Sequence, residues 1–155
     1  RKPRKTTIKL IDFGSATFDS HSHTRVVSTR HYRAPEVILG CGWSYPCDMW
    51  SLGTILIELF TGDALFQVHD NREHLHMMER VLGPIPNSLY ERSSHDAKRY
   101  FEKNKLAPLR DREGERRVRN MSTFNDVFPP SASAELNDFH RLLRGLVHYD
   151  PKTRL

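Results

Sequence analysis

Cysteine is scarce in this chain: Cys41 and Cys47 are the only two among 155 residues. Two thiols make no disulfide framework, and such usage predicts a reducing compartment. Long apolar runs are missing too. A membrane helix needs roughly 18 consecutive apolar residues, and the nearest approach, Leu52 to Phe60, is far too short. No apolar h-region opens the chain, so no secretory signal is expected. Internal repeats and low-complexity segments are absent. Aromatic residues are well supplied, with eight Phe, five Tyr and two Trp, and the chain is 37% hydrophobic and 28% charged. That balance is globular rather than disordered, and the length predicts one domain.

The net charge of +5 is unevenly spread. Residues 1–5 (RKPRK) carry four basic residues and no acid, and residues 98–119 carry nine basic and four acidic. The remainder is net acidic, at −4. Basicity is therefore local, and a pI near 9.4 is weak support for nucleic-acid binding.

Both ends predict a piece of a larger domain. The chain starts without Met, runs directly into TIKLIDF and stops at KTRL. Ile8, Leu10, Ile11 and Phe13 predict one buried strand, which needs a partner to pair with. Residues 14–33, rich in Ser, Thr, His and Gly, predict a long functional loop. Pro35 opens a short helix that Gly40 ends. After Asp48, the stretch MWSLGTILIELF has apolar residues on every side, which predicts a wholly buried central helix. Asp70-Asn71 caps a helix stopped by Gly83-Pro84, with Leu75, Met78, Val81 and Leu82 on one face. At least one of Met77 and Met78 is expected in the core. Residues 85–134 hold Pro86, Pro108, Pro129 and Pro130 and predict one short helix near 94–104 with loops elsewhere. Residues 135–147 predict an amphipathic helix with Leu136, Phe139, Leu142, Leu143, Leu146 and Val147 on its inner stripe.

Four short motifs carry chemistry. Asp12-Phe13-Gly14 puts a carboxylate at an expected strand end, followed by a glycine that permits a sharp turn; such a carboxylate suits a metal ion bridging phosphates. Ala34-Pro35-Glu36 follows 22 residues after Asp12, Asp48-Met49-Trp50-Ser51-Leu52-Gly53 opens the apolar helix, and Arg154 lies just beyond Asp150-Pro151. Each alone has an ordinary reading: a strand end, a helix start, a capped helix, a surface arginine.

In this order and spacing the four resemble the C-lobe of protein kinases, from the magnesium-binding DFG strand onwards. STRHYRAPE at 28–36 resembles the end of the activation segment in the group holding cyclin-dependent, mitogen-activated and CDC-like kinases. EHLHMMER at 73–80 resembles the EHLAMMER signature of the LAMMER (CDC-like) kinases, departing only at His76, where the family has Ala. DFGSAT at 12–17, GWSYPCDMWSLG at 42–53 and LGPIP at 82–86 are similar to the same family. The resemblance covers almost the whole chain and is weakest across 87–134, read as a family insert. The implied fold is mostly α: a truncated C-terminal lobe of an α+β protein kinase-like domain.

The resemblance also implies roles. Asp12 matches the aspartate that holds Mg²⁺ against the ATP phosphates, with Phe13 packing beneath a neighbouring helix and Gly14 letting the loop switch. Thr29 matches the threonine that orders the catalytic aspartate and contacts substrate. Arg33 resembles the arginine shaping the pocket for the residue after the phospho-acceptor. Glu36 and Arg154 match a structural ion pair inside the lobe, and Asp48 an aspartate accepting backbone hydrogen bonds from the catalytic loop. Thr17, Ser20, Ser22, Thr24, Ser28 and Thr29 offer hydroxyls whose phosphorylation would order the segment against Arg25, Arg30 and Arg33; Thr24 is the preferred position, and Tyr32 is expected to pack. The implied parent is a nuclear enzyme, with the cytoplasm as a second location. It would use ATP and Mg²⁺ to phosphorylate Ser, Thr and, in dual-specificity members, Tyr of Arg/Ser-rich splicing factors.

The 155 residues contain no G-x-G-x-x-G loop, no V-A-I-K lysine and no H-R-D-L-x-x-x-N loop. These are expected before residue 1, so catalytic residues proper are assigned to none of this chain. The chain alone is expected neither to bind ATP tightly nor to transfer phosphate. The runner-up is a non-catalytic module that binds kinase substrates or competes with the parent; an RNA-binding fragment led by 98–119 ranks below it, since a solvated insert is favoured there. The pairs His21/His23 and His74/His76 lack structural zinc spacing and are expected to be solvated. Asp63, Asp70 and Glu73 are expected to attract arginine-rich peptides.

Overall fold

A computed structural model describes residues 5–130 and 133–155. The first four residues, which hold most of the basic RKPRK run, lie outside the described residues. α1 (Pro35–Leu39) begins with proline at its first position and ends at Gly40, whose φ of 63° is left-handed. A side chain at Gly40 would also meet Ser94 Oγ at 2.8 Å. α2 (Pro46–Thr61) is the longest helix among the described residues and the axis of the core. It likewise starts with a proline, two residues ahead of Asp48, which sits in its first turn.

α2 buries Cys47, Trp50, Gly53, Thr54 and Ile57. It is not buried all round, as its composition predicts: Leu52, Ile55, Leu59 and Phe60 are exposed, Leu59 by 76%. The side that faces inward meets α8 (Ala134–Leu146), the 3₁₀ turn Arg30–Tyr32 also lies against α2, and the Phe60 ring, though half exposed, sits 5.3 and 5.5 Å from those of Phe128 and Phe139. Gly53 permits the approach, since a Cβ there would come within 2.8 Å of Leu146 Cβ and 2.9 Å of Val147 Cγ1. α8 turns Leu143 and Leu146 inward, whereas Leu136 and Leu142 of its expected stripe are exposed. Trp50 lies 6.4 Å from Phe66 and 6.3 Å from Tyr149, ring centre to ring centre.

α3 (Asn71–Leu82) is capped as its sequence predicts: Asp70 accepts from the backbone N–H of Arg72 and Glu73, at 2.8 and 3.1 Å. Leu75, Met77, Met78 and Val81 are buried. The region expected to be one helix among loops is built from more pieces. It holds α4 (Asn87–Arg92), α5 (His95–Lys98), an antiparallel hairpin of β1 (Phe101–Glu102) and β2 (Lys105–Leu106), α6 (Arg112–Asn120) and α7 (Phe124–Val127). Each helix here is short, and side-chain caps start three of the four: Ser94, Asp111 and Thr123 each accept a helix N–H, whereas α4 follows Pro86 and has no such cap.

The strand expected over residues 8–13 does not form. Ile8, Leu10, Ile11 and Phe13 are 64–91% exposed. A strand exists only by pairing, and the described residues offer this stretch no partner; the one sheet is β1–β2.

Candidate functional site

At Asp12 the chain turns through a left-handed φ of 64° into a 3₁₀ turn, Phe13–Ser15. The turn closes with Ala16 N–H donating to Phe13 C=O at 3.0 Å. The Asp12 carboxylate receives no hydrogen bond among the described residues, so both oxygens are open to a hard cation. Phe13 packs under nothing here; it stands in the open.

Residues 19–36 are held at several points. Trp43 Nε1–H donates to Thr24 C=O at 2.8 Å, and the His23 and Trp43 rings stack at 4.3 Å. Ser44 Oγ–H donates to Asp19 at 3.2 Å. Arg25 pairs with Asp96 at 3.0 Å, both well exposed. Thr24 Oγ1–H donates to Val26 C=O at 3.0 Å, a local bond that leaves the hydroxyl at the surface. Arg33 grips the next turn: its Nε–H donates to Val27 C=O at 3.1 Å and its Nη2–H to Ser28 C=O at 2.9 Å. Ser28 there takes a left-handed φ of 62°. Partial burial, with Arg30 nearby, lowers the Arg33 pKa from its usual value. Thr29 precedes a 3₁₀ turn, Arg30–Tyr32, and its side chain caps nothing.

Two anchors in this segment escape a motif search. Tyr32 O–H donates to Glu58 on α2 at 2.8 Å, and that bond, with burial, raises the tyrosine pKa. Ser51 Oγ–H donates to Tyr32 C=O at 2.8 Å. The signal available in the sequence was Glu58 itself, an acid inside the apolar run 55–60. Arg30 Nη1–H donates to Asn71 at 2.6 Å.

Glu36 and Arg154, 118 residues apart, meet in the interior as a two-pronged pair at 2.6 and 2.8 Å. Their side chains are 1% and 0% exposed. The guanidinium also donates to the carbonyls of Pro46, His148 and Tyr149, and lies 5.3 Å over the Trp50 ring. Every donor is used, which is what a buried charge requires. Asp48 is exposed, with only a 3.8 Å contact from Cys47 Sγ among the described residues.

The EHLHMMER helix turns its polar side chains to the region after it. Glu73, 3% exposed, accepts from Arg117 at 2.6 Å. His76 Nε2 lies 2.9 Å from Ala107 C=O, and Arg80 Nε–H donates to Met121 C=O at 2.8 Å. Arg72 donates to the carbonyls of Pro108 and Arg99, at 3.1 and 3.0 Å. Glu73 and Asp70 are therefore committed, one to an arginine and one to a helix cap, and do not offer themselves to arginine-rich peptides; Asp63 is exposed. His74 is fully buried rather than solvated, and neither ring nitrogen has a partner. Burial first, then Arg30, Arg33 and His31, push its pKa down to about 3. Among the described residues no three His, Cys, Asp or Glu side chains gather as a metal site. Cys41 and Cys47 are free thiols, pushed up by burial to about 11 and about 12. No helix among the described residues is long and apolar enough to cross a membrane.

An extended loop laid over a helical body, tied at its far end by an interior glutamate–arginine pair, is the architecture of the helical lobe of a kinase domain. A profile of the protein kinase domain matches residues 2–155. A crystal structure of a kinase domain superposes with a TM-score of 0.89 at 38% identity, over 98% of this chain and 45% of that one. The chain is similar to the serine/threonine-protein kinase AFC3 of Arabidopsis thaliana, at 48% identity over 99% of this chain and 39% of the relative. It is also similar to the dual specificity protein kinase lkh1 of Schizosaccharomyces pombe, at 49% over 96% of this chain and 22% of the relative. Identity to the human dual specificity protein kinase CLK2 is 44%, over 100% of this chain and 31% of that protein. The chain belongs to the protein kinase family, in its LAMMER (CDC-like) branch. It spans between about a fifth and two fifths of the length of these relatives.

Proposed function

We propose that this chain is the substrate-side lobe of an ATP-dependent protein kinase acting on serine and threonine, and on tyrosine as a dual-specificity enzyme. The observation that carries the reading is the docked segment 19–36, whose end is fastened to the core through Tyr32–Glu58 and Glu36–Arg154. Asp12 fits one magnesium ligand: its carboxylate is open, oxygen-only and unclaimed. When bound, Mg²⁺ would bridge phosphate oxygens and offset their charge. The described residues do not fit ATP by themselves: Asp12 lines neither the cleft beside Arg30 and Arg72 nor the one beside Met77 and Arg116, and the sequence holds no glycine-rich loop or strand lysine. Arg33 sets the shape of the turn at 27–29, where Thr29 would meet the substrate chain. Arg/Ser-rich splicing factors are the proposed substrates and the nucleus the proposed location, both on the family resemblance.

The 155 residues alone are proposed to be inactive, because nothing in them supplies a general base. The test is a chimera that places this chain after the N-lobe and catalytic loop of a LAMMER kinase. It should phosphorylate an Arg/Ser peptide with Mg-ATP, and the Asp12→Asn form should lose activity by a factor on the order of 100 or more. A folded chimera without activity, or one indifferent to Asp12→Asn, would refute the assignment. Robust Mg-dependent transfer by the 155-residue chain itself would refute the proposed inactivity.

A further inference from the structure

Among the described residues, Arg25, Arg92, Arg117, Arg141 and Arg154 each have an acidic partner. Of the described arginines without one, four line a single cleft of about 480 Å³. Arg30, Arg72, Arg99 and Arg110 make no ion pair among the described residues. Arg30 reaches only an amide oxygen on Asn71 and Arg72 only two backbone carbonyls. Arg99 lies against the Tyr100 ring, 5.4 Å from its centre. Arg110 has no hydrogen bond at all among the described residues. Asp70 and Asp111 also line the cleft, but each accepts helix N–H groups, at the start of α3 and of α6. Their charge is thereby partly matched by the two helix N-termini. The cleft keeps a surplus of guanidinium forks, and two of these, on Arg30 and Arg72, are fixed in place by neutral acceptors.

Planar, already positioned guanidiniums suit a tetrahedral oxyanion better than a diffuse negative surface. One wall of the cleft begins at Arg30, the residue after Thr29, so a chain lying along the docked segment would pass its mouth. Leu109 and Tyr100 add apolar wall beyond what a free ion needs. We propose that this cleft binds a phosphomonoester carried on a protein segment, a phosphoserine or phosphothreonine already present on the partner chain. The protein-borne source rests on the kinase reading above; the anion site rests on the cleft alone.

The 155-residue chain is titrated, without nucleotide and at about 0.15 M salt, with a fluorescent peptide of neutral composition carrying one phosphoserine. Anisotropy should report binding at least about tenfold tighter than for the serine peptide, and inorganic phosphate should compete. Arg110→Glu should abolish the difference; it touches no hydrogen bond, so the fold is spared, and circular dichroism checks this. Arg119→Ala, outside the cleft, should change nothing. Equal binding of the phosphoserine, serine and glutamate peptides would overturn the proposal. So would a phosphopeptide no tighter than inorganic phosphate, which would leave a free-anion site only. An oligouridylate that binds more tightly and with the same Arg110 dependence would assign the cleft to RNA instead. Because the assay contains no ATP, its failure leaves the kinase reading standing, and an inactive chimera leaves the binding result standing.

Discussion

Residues 7–13 hold four large apolar side chains, all exposed, whereas residues 99–121 are crowded with charge and tied down along their length. Hydrophobicity supplies a tendency to be covered; it does not supply the cover. The first stretch lacks a strand beside it. The second borrows its order from α3, whose arginines, histidine and glutamate reach across to its carbonyls and to Arg117. Directional bonds to backbone hold a polar region that its own sequence would leave loose.

The strongest way to break this contrast is to leave a charge stranded in the core. Arg154→Met removes one half of the interior pair and should cost about 3–5 kcal/mol in urea unfolding, because Glu36 stays buried without its partner. Next comes overpacking. Gly53→Ala should cost about 1–3 kcal/mol despite alanine's better helix propensity, since its methyl meets Leu146 and Val147 below contact distance. A midpoint equal to the parent's would show that α8 can shift aside. Glu73→Ala tests the tethered region directly. Hydrogen exchange should quicken across 99–121 while α2 stays protected, and exchange unchanged there would mean that the carbonyl bonds suffice without the ion pair.

His74 sharpens the contrast through pH. Its folded pKa lies near 3, below the usual 6.5. The unfolded chain therefore binds a proton that the folded chain refuses, and stability should fall as pH drops from about 6.5 towards 3. His74→Phe should flatten that fall, and since neither ring nitrogen has a partner it should not lower the neutral-pH midpoint much. A variant with an equally steep acid limb would place the pH dependence elsewhere. The smallest effect belongs to the exposed stretch. Ile8→Ser and Ile11→Ser should leave the melting temperature unchanged, and a clear drop would mean that these side chains are covered in solution.

The same contrast explains what could be read from the sequence. α1 and α3 were legible because their start and stop signals are local: Pro35 and Gly40, Asp70 and Gly83. The mostly helical architecture and the family followed from motifs whose order survives in one dimension. The strand over 8–13 was not legible as absent, because pairing is decided by what lies alongside. Nor was the outer face of α2, since composition cannot say which side of an apolar helix has a neighbour. The order within 87–130 came from bonds spanning 27 to 44 residues, which no periodicity records. At the site, Glu36 and Arg154 were nominated by resemblance, while Tyr32–Glu58 and the cleft of four arginines needed coordinates.

The missing methyl at Gly53 reaches further than its own contact. Helices that touch through side chains can slide by repacking them, but two backbones this close have one sliding position. Arg154 follows eight residues after the touching point at Leu146, and it must arrive between Glu36 and the carbonyl of Pro46 at the far end of α2. A hydrogen atom in place of a side chain thus acts as the length gauge for an ion pair that it never contacts.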